Sequence, residues 1–137
     1  MLILLVELML PIVLPKKKGY SKFNSYTGNG NADGPFVYTG FKTAFVIVKN
    51  TSSVAPWRLY SQEISNHATP FNDLDECFFP NTNEVATDTS HPFDFTSNGF
   101  KVRGTNVDVN TNGNQYIYMA FADQSLVGTN NVIALAR

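Results

Sequence analysis

The absence of helical periodicity constrains the fold of this sequence more than any other feature. No segment of about ten or more residues repeats apolar positions at helical spacing between capping residues. Instead, short runs rich in aromatic and β-branched residues recur, separated by Asn, Gly, Pro and Ser. Such alternation is typical of antiparallel β proteins. The sequence therefore predicts an all-β fold, an antiparallel β-sandwich of jelly-roll type.

Two Asn-Gly pairs give the clearest turn signals. Asn98-Gly99 separates the strand-like runs 93–95 and 100–103. Asn112-Gly113 separates the strand-like runs 107–109 and 116–122. Asn-Gly readily adopts the positive φ angles of a two-residue hairpin turn. We therefore expect both pairs at hairpin tips.

Two further segments carry strand information. The glycine- and asparagine-rich segment 28–34 lies between the strand-like runs 23–27 and 36–39, which predicts a hairpin-like bend. The segment 44–49 is continuously apolar except for its last residue. That pattern predicts a strand buried on both faces.

Composition limits the classes of function. A chain of 137 residues with 43% hydrophobic residues can form one core, whereas charged residues make up only 15%. The formal net charge of −1 argues against nucleic acid as a partner, because such binding depends on neutralising phosphates. The single cysteine, Cys77, excludes an intrachain disulfide, and we expect its thiol to be buried and unreactive.

The apolar segment 1–15 differs from the rest of the chain. It is interrupted by Glu7 and Pro11, is shorter than the ~20 residues of a membrane-spanning helix, and has its lysines after the apolar run. We expect neither a signal peptide nor a membrane span, and we divide the chain into an atypical segment, 1–17, and one β-sandwich domain, 18–137. Residues 1–15 are either an altered start whose apolar side chains lie against the sheet or an assembly arm for a neighbouring subunit.

The segment 19–41, GYSKFNSYTGNGNADGPFVYTGF, resembles a β-rich module repeated in uncharacterised tail-fibre and other virion proteins of marine bacteriophages. Similar segments follow in the order of that module, at 41–49, at the Trp57 strand, at 97–103 and at 110–122. The loops within 65–88 depart from the pattern. The resemblance implies a virion structural or adhesive module without catalytic residues, exposed on the particle as a tail fibre, appendage or capsid decoration.

Partners follow from the same resemblance. It implies other virion proteins, a homo-oligomer with a trimer favoured, and a host surface glycan. The competing class of protein is a cellular carbohydrate-binding module, and an enzyme is the third.

Candidate catalytic residues are sparse. His67 and His91 lie in loops rich in Pro and Asn, outside any nucleophile motif. The nearest carboxylates, Asp73, Asp75 and Glu76, are expected in a solvated acidic loop rather than as a glycosidase pair. We therefore predict no catalytic residues.

A metal site is also not expected. The segment 108–113 imitates the start of a calcium loop, but Met119 occupies the twelfth position, where a bidentate Glu is needed. A hairpin is the preferred interpretation, and a looser calcium site made of backbone oxygens stays open. We predict no metal and no cofactor.

Aromatic residues offer the remaining candidate site. The side chains that could form a sugar-stacking platform are Trp57, Tyr60, Tyr38 and Phe36. Alternation along the Trp57 strand places Trp57 and Leu59 on one face, which we expect in the core, and Arg58 and Tyr60 on the other, which we expect to be exposed. The predicted ligand or interface contacts are Arg58, Tyr60 and Tyr38.

Overall fold

The computed structural model describes residues 19–64, 74–88 and 92–123, and all regular elements in these residues are β-strands. The strands are β1 (Ser21–Thr27), β2 (Phe36–Tyr38), β3 (Thr43–Asn50), β4 (Arg58–Ser61), β5 (Glu76–Cys77), β6 (Thr87–Asp88), β7 (Phe93–Thr96), β8 (Gly99–Val102) and β9 (Gln115–Ala122). No helix in these residues is long and apolar enough to cross a membrane.

The strands form two main antiparallel sheets. One has four strands in the order β1-β9-β3-β4, the other has three in the order β2-β8-β7, and β5 and β6 form a separate pair. The inner faces of the two main sheets share one hydrophobic core. The prediction of an all-β antiparallel sandwich is therefore confirmed.

Aromatic rings from both sheets make up much of this core. Phe100 of β8 packs edge-on against Tyr118 of β9 with ring centroids 5.2 Å apart, and Phe93 of β7 meets Tyr60 of β4 at 4.9 Å. Burying one such side chain contributes about 1.5–3 kcal/mol. The core is completed by the other inner residues of the two sheets, which include Tyr26, Val37, Val46, Val48, Phe95, Val102 and Tyr116.

Strand β3 is buried on one face only, so the prediction of burial on both faces is wrong. Val46 and Val48 point into the core, whereas Phe45 and Ile47 alternate to the outer face and are half-buried. The reason is architectural. The second sheet packs against one side of the four-stranded sheet, so the outer side of β3 lies outside the core that the sheets share.

The β7–β8 hairpin is confirmed, but the position of its tip is shifted. The turn consists of Ser97 and Asn98, and Gly99 is already the first residue of β8, paired with Thr96. A Cβ on Gly99 would lie 2.1 Å from the carbonyl oxygen of Val37 in β2. Glycine is needed here because β2 approaches closely, not because the turn requires it.

The Asn112-Gly113 pair does lie in a turn, and Gly113 has a φ of 80°. The predicted strand at 107–109 is wrong, however, because these residues form a turn. Its backbone is closed locally, since the amides of Val109 and Asn110 donate to the carbonyl of Asn106 at 3.0 and 2.8 Å. Strand β9 pairs instead with β1 and β3.

The bend at 28–34 crosses from one sheet to the other, so the hairpin-like interpretation is wrong. β1 pairs with β9 in the four-stranded sheet, whereas β2 pairs with β8 in the three-stranded sheet. The bend is attached to a distant loop through the amide of Gly28, which donates to Asn114 O at 2.9 Å, and the amide of Gly30, which donates to Asn110 O at 3.0 Å. These contacts direct the chain away from a local hairpin.

Candidate functional site

The outer side of the three-stranded sheet presents two exposed aromatic side chains. Phe36 and Tyr38 flank the inward-pointing Val37 on β2 and are 48% and 59% exposed. The register places Phe36 opposite Lys101 and Tyr38 opposite Gly99 on β8. We call the surface formed by Phe36, Tyr38, Lys101 and the neighbouring Asp94 of β7 the aromatic face.

Lys22 contacts both the backbone and the ring of Tyr38. Its ammonium donates a hydrogen bond to Tyr38 O at 2.7 Å and lies 5.2 Å from the centroid of the same ring. A cation in this position is worth about 0.5–1 kcal/mol at an exposed site. Because Lys22 belongs to β1, this contact also joins the edge strands of the two sheets, and it occupies a backbone acceptor of the short β2 edge.

Ion pairs border the aromatic face. Lys101 Nζ lies 2.9 Å from Asp33 Oδ1, and Arg103 Nε donates to Asp94 Oδ2 at 2.5 Å. The hydrogen bond from Lys101, and then its charge, lower the pKa of Asp33. The pKa of Arg103 is raised by the hydrogen bond with Asp94 and by the charge of that carboxylate. These pairs orient the charged rim of the face, although each is solvent-exposed and contributes little to stability.

A buried carboxamide fixes the loop that carries Asp33. Asn110 is fully buried, and its Oδ1 accepts the amide of Asn29 at 2.8 Å. Its Nδ2 donates to the carbonyls of Asn31 and Gly104 at 2.7 and 2.9 Å. Sequence reasoning missed this role, because Asn is a common loop residue and the partners of Asn110 in the 28–34 bend lie about 80 positions earlier in the chain.

The predicted exposure of Arg58 and Tyr60 is wrong. Tyr60 is fully buried, and Arg58 is only 8% exposed. The guanidinium donates through Nε to Asp108 Oδ2 at 2.8 Å, forms a second contact through Nη2, and lies 4.7 Å from the ring centroid of Phe79. Neither residue is available for a surface ligand, so Tyr38 is the one predicted contact residue that the structure leaves exposed.

The wrong prediction for Arg58 and Tyr60 has a physical explanation. Leu59, which we expected in the core, is half-buried on the outer side of β4, and Trp57, which precedes β4, is also half-buried. Burial opposes the charge of Arg58, but the hydrogen bond with Asp108 raises the pKa of the guanidinium above its ordinary value. The buried charge is thus compensated by a residue 50 positions away, which strand alternation does not reveal.

The oxygens of the calcium-like segment are engaged within the protein. The Asp108 carboxylate pairs with Arg58, and the Asn110 carboxamide holds the 28–34 bend. In the part of the chain that the structure describes, no group of three or more His, Cys, Asp or Glu side chains could hold a metal ion. The expectation of a metal-free protein stays a prediction.

The other candidate residues separate into described and undescribed ones. Cys77 is buried, as predicted. Asp75 and Glu76 are half-buried, and Glu76 belongs to β5, so the prediction of a solvated loop is wrong for these two. His67, His91, Asp73 and the apolar segment 1–15 lie outside the described residues.

A second surface lies on the outer side of the four-stranded sheet. We call it the outer apolar face; it consists of Phe23, Phe45, Ile47, Leu59, Ile117, Met119 and Phe121, which cross-strand pairing brings to one side. Phe121 lies at its centre, with ring centroids 5.6 Å from Phe45 and 5.8 Å from Phe23. None of these residues belongs to the core cluster that the two sheets share, although Phe23 is itself buried. The continuous apolarity of 44–49 is the sequence signal that could have identified it.

Comparison with known protein families identifies a match over most of the chain. The model of a family described as a domain of unknown function, DUF7483, matches residues 9–125. No curated protein and no solved structure matches the chain.

Proposed function

The chain belongs to the DUF7483 family, and we propose that it is a non-enzymatic structural and adhesive protein of a bacteriophage virion. It would be exposed on the particle as a tail-fibre, appendage or capsid-decoration module, and would act through subunit assembly and contact with the host surface. The family description supplies no function, so the proposal is supported by the surfaces of the described residues and by the resemblance of the sequence to phage virion modules.

The outer apolar face is the observation that carries this proposal. Seven apolar side chains from four strands lie side by side on a face that the second sheet does not cover. Phe23 is 9% exposed, and the other six side chains are half-buried. Apolar side chains gathered outside the core of a domain are typical of protein interfaces, and permanent interfaces are the more hydrophobic ones. We therefore propose that subunits associate through this face into a homo-oligomer, with a trimer favoured by analogy with phage fibres.

A charge placed within the outer apolar face tests the assembly. Ile47→Lys and Met119→Lys introduce an ammonium at two directly paired positions on this face. We expect light scattering to show an oligomer for the unaltered chain and a smaller species for either variant, with the far-UV circular dichroism unchanged. Val85→Lys is the matched control, because Val85 is 81% exposed and lies outside this face.

A monomer at micromolar concentration for the unaltered chain would contradict the assembly proposal. The virion assignment has its own test, which is mass spectrometry and antibody labelling of purified particles. Absence of the chain from the particles would refute it.

The alternative is a cellular carbohydrate-binding module, which the aromatic face favours. Exposed aromatic rings on the face of a sheet can stack on the C–H faces of pyranoses, and that chemistry does not require a virion. A monomer that binds discrete glycans on an array, and that is absent from particles, would support this alternative over the virion protein.

A further inference from the structure

We propose that the aromatic face binds acidic glycans, with Phe36 and Tyr38 stacking on sugar rings and Lys22 pairing with a uronic acid carboxylate. This proposal specifies the ligand for the host-contact part of the proposed function and rests on that part. It is carried by three observations, namely the exposed rings, the unpaired ammonium beside them and the charge of the rim.

The rings provide the stacking surface. Phe36 and Tyr38 are two residues apart on one strand, so both project from the same side of the sheet at a spacing of about 7 Å. Tyr38 is 59% exposed although Lys22 contacts it. A ring that is already in contact with a neighbouring side chain and open to solvent loses little side-chain entropy when a ligand stacks on it.

Lys22 provides the charge. Its ammonium donates to Tyr38 O, and no carboxylate among the described residues forms an ion pair with it. An ammonium has three donors, so two stay available for a ligand. A carboxylate on a sugar stacked against Tyr38 would lie within reach of these donors, and charge-assisted hydrogen bonds of this type are the strong ones.

The rim favours an anion over a cation. The charged groups at this face are Lys22, Lys101 and Arg103 against Asp33 and Asp94, so the cations exceed the carboxylates by one. This local excess contrasts with the formal net charge of −1 of the whole chain. The two carboxylates are already paired with Lys101 and Arg103, which leaves Lys22 as the group that selects the ligand.

The test compares acidic oligosaccharides with their uncharged forms. Isothermal titration calorimetry on the full chain would use a panel of uronic acid oligosaccharides and the methyl ester of each one. We expect at least one acidic oligosaccharide to bind about tenfold or more tightly than its ester, and the affinity to fall as salt is added. The ester keeps the pyranose rings and removes only the charge.

Three variants separate stacking from charge. Tyr38→Ala should weaken binding of both forms by about tenfold or more, whereas Lys22→Gln should weaken the acid alone and abolish its preference over the ester. Val107→Ala is the matched control, because Val107 is an exposed apolar residue outside the aromatic face. Melting temperatures would verify that each variant is folded.

Equal binding of acid and ester, no binding of the panel at millimolar concentration, or unchanged affinity in Tyr38→Ala would each overturn the proposal. Light scattering on the same samples makes this failure distinguishable from a failure of the proposed function. An intact oligomer that binds no uronic acid would refute the glycan assignment and leave the assembly proposal in place.

Discussion

The buried pair Arg58–Asp108 should be a main determinant of stability. The side chains of Arg58 and Asp108 are each about one-tenth exposed. Asp108→Ala would therefore leave the guanidinium of Arg58 buried on the inner side of β4 without its carboxylate partner. Removing one partner of a buried ion pair typically costs about 3–5 kcal/mol. We expect a loss near the lower end of that range, because the ring of Phe79 continues to contact the cation.

A double-mutant cycle isolates the interaction. Urea denaturation would be measured for the unaltered chain, Arg58→Met, Asp108→Leu and the double variant. The apolar pair preserves much of the volume and removes both charges, so the double variant should lose less stability than the sum of the two single variants by about 1.5 kcal/mol or more. Arg103→Met is the matched control, because its ion pairs are exposed and should contribute less than about 1 kcal/mol.

The outcome that refutes the reasoning is specific. If Asp108→Ala costs less than about 1 kcal/mol, the pair does not hold β4 to the turn at 107–109. Additive losses in the cycle would likewise show that the two side chains do not interact energetically, whatever their distance.

Two further predictions concern the core and the three-stranded sheet. Burial raises the pKa of Tyr118 to about 12, so the unfolded chain ionises this phenol at lower pH than the folded chain. The free energy of unfolding should therefore decrease as pH rises from about 10 towards 12. Urea titrations at several pH values would measure this decrease, which should be weaker in Tyr118→Phe. A free energy of unfolding that does not change over this pH range would contradict the prediction. Gly99→Ala should destabilise the protein by about 2 kcal/mol or more, because its Cβ would lie 2.1 Å from Val37 O. Thermal unfolding would measure the loss. Gly113→Asn is the control and should be tolerated, because Gly113 lies at an open turn position.

Much of the local structure could be predicted from residue types. The strands at 93–96, 99–102 and 115–122 and the turn at Gly113 follow from alternation and turn chemistry, which act over a few residues. The hairpin tip lies one residue earlier than expected, because Gly99 is required by its contact with Val37 of β2, about 60 positions earlier in the chain.

The candidate site was predicted only in part. Tyr38 is exposed as expected, but Lys22, which contacts its ring, comes from the other sheet and gave no sequence signal. Tyr60 and Leu59 were assigned to the wrong sides because β4 carries apolar residues on both faces. The alternation pattern then does not show which face of β4 is buried, because the buried face is the one that packs against the second sheet.

The sequence by itself determined the all-β class, because no segment repeats apolar positions at helical spacing between capping residues and the turn residues divide the chain into short strands. Only the tertiary structure decided which strands pair, that β1 and β2 belong to different sheets, and that Arg58 is buried against Asp108. The physical reason is the range of the interactions. Backbone preferences act between neighbouring residues, whereas strand partners and the compensation of a buried charge depend on residues that only the complete fold brings together.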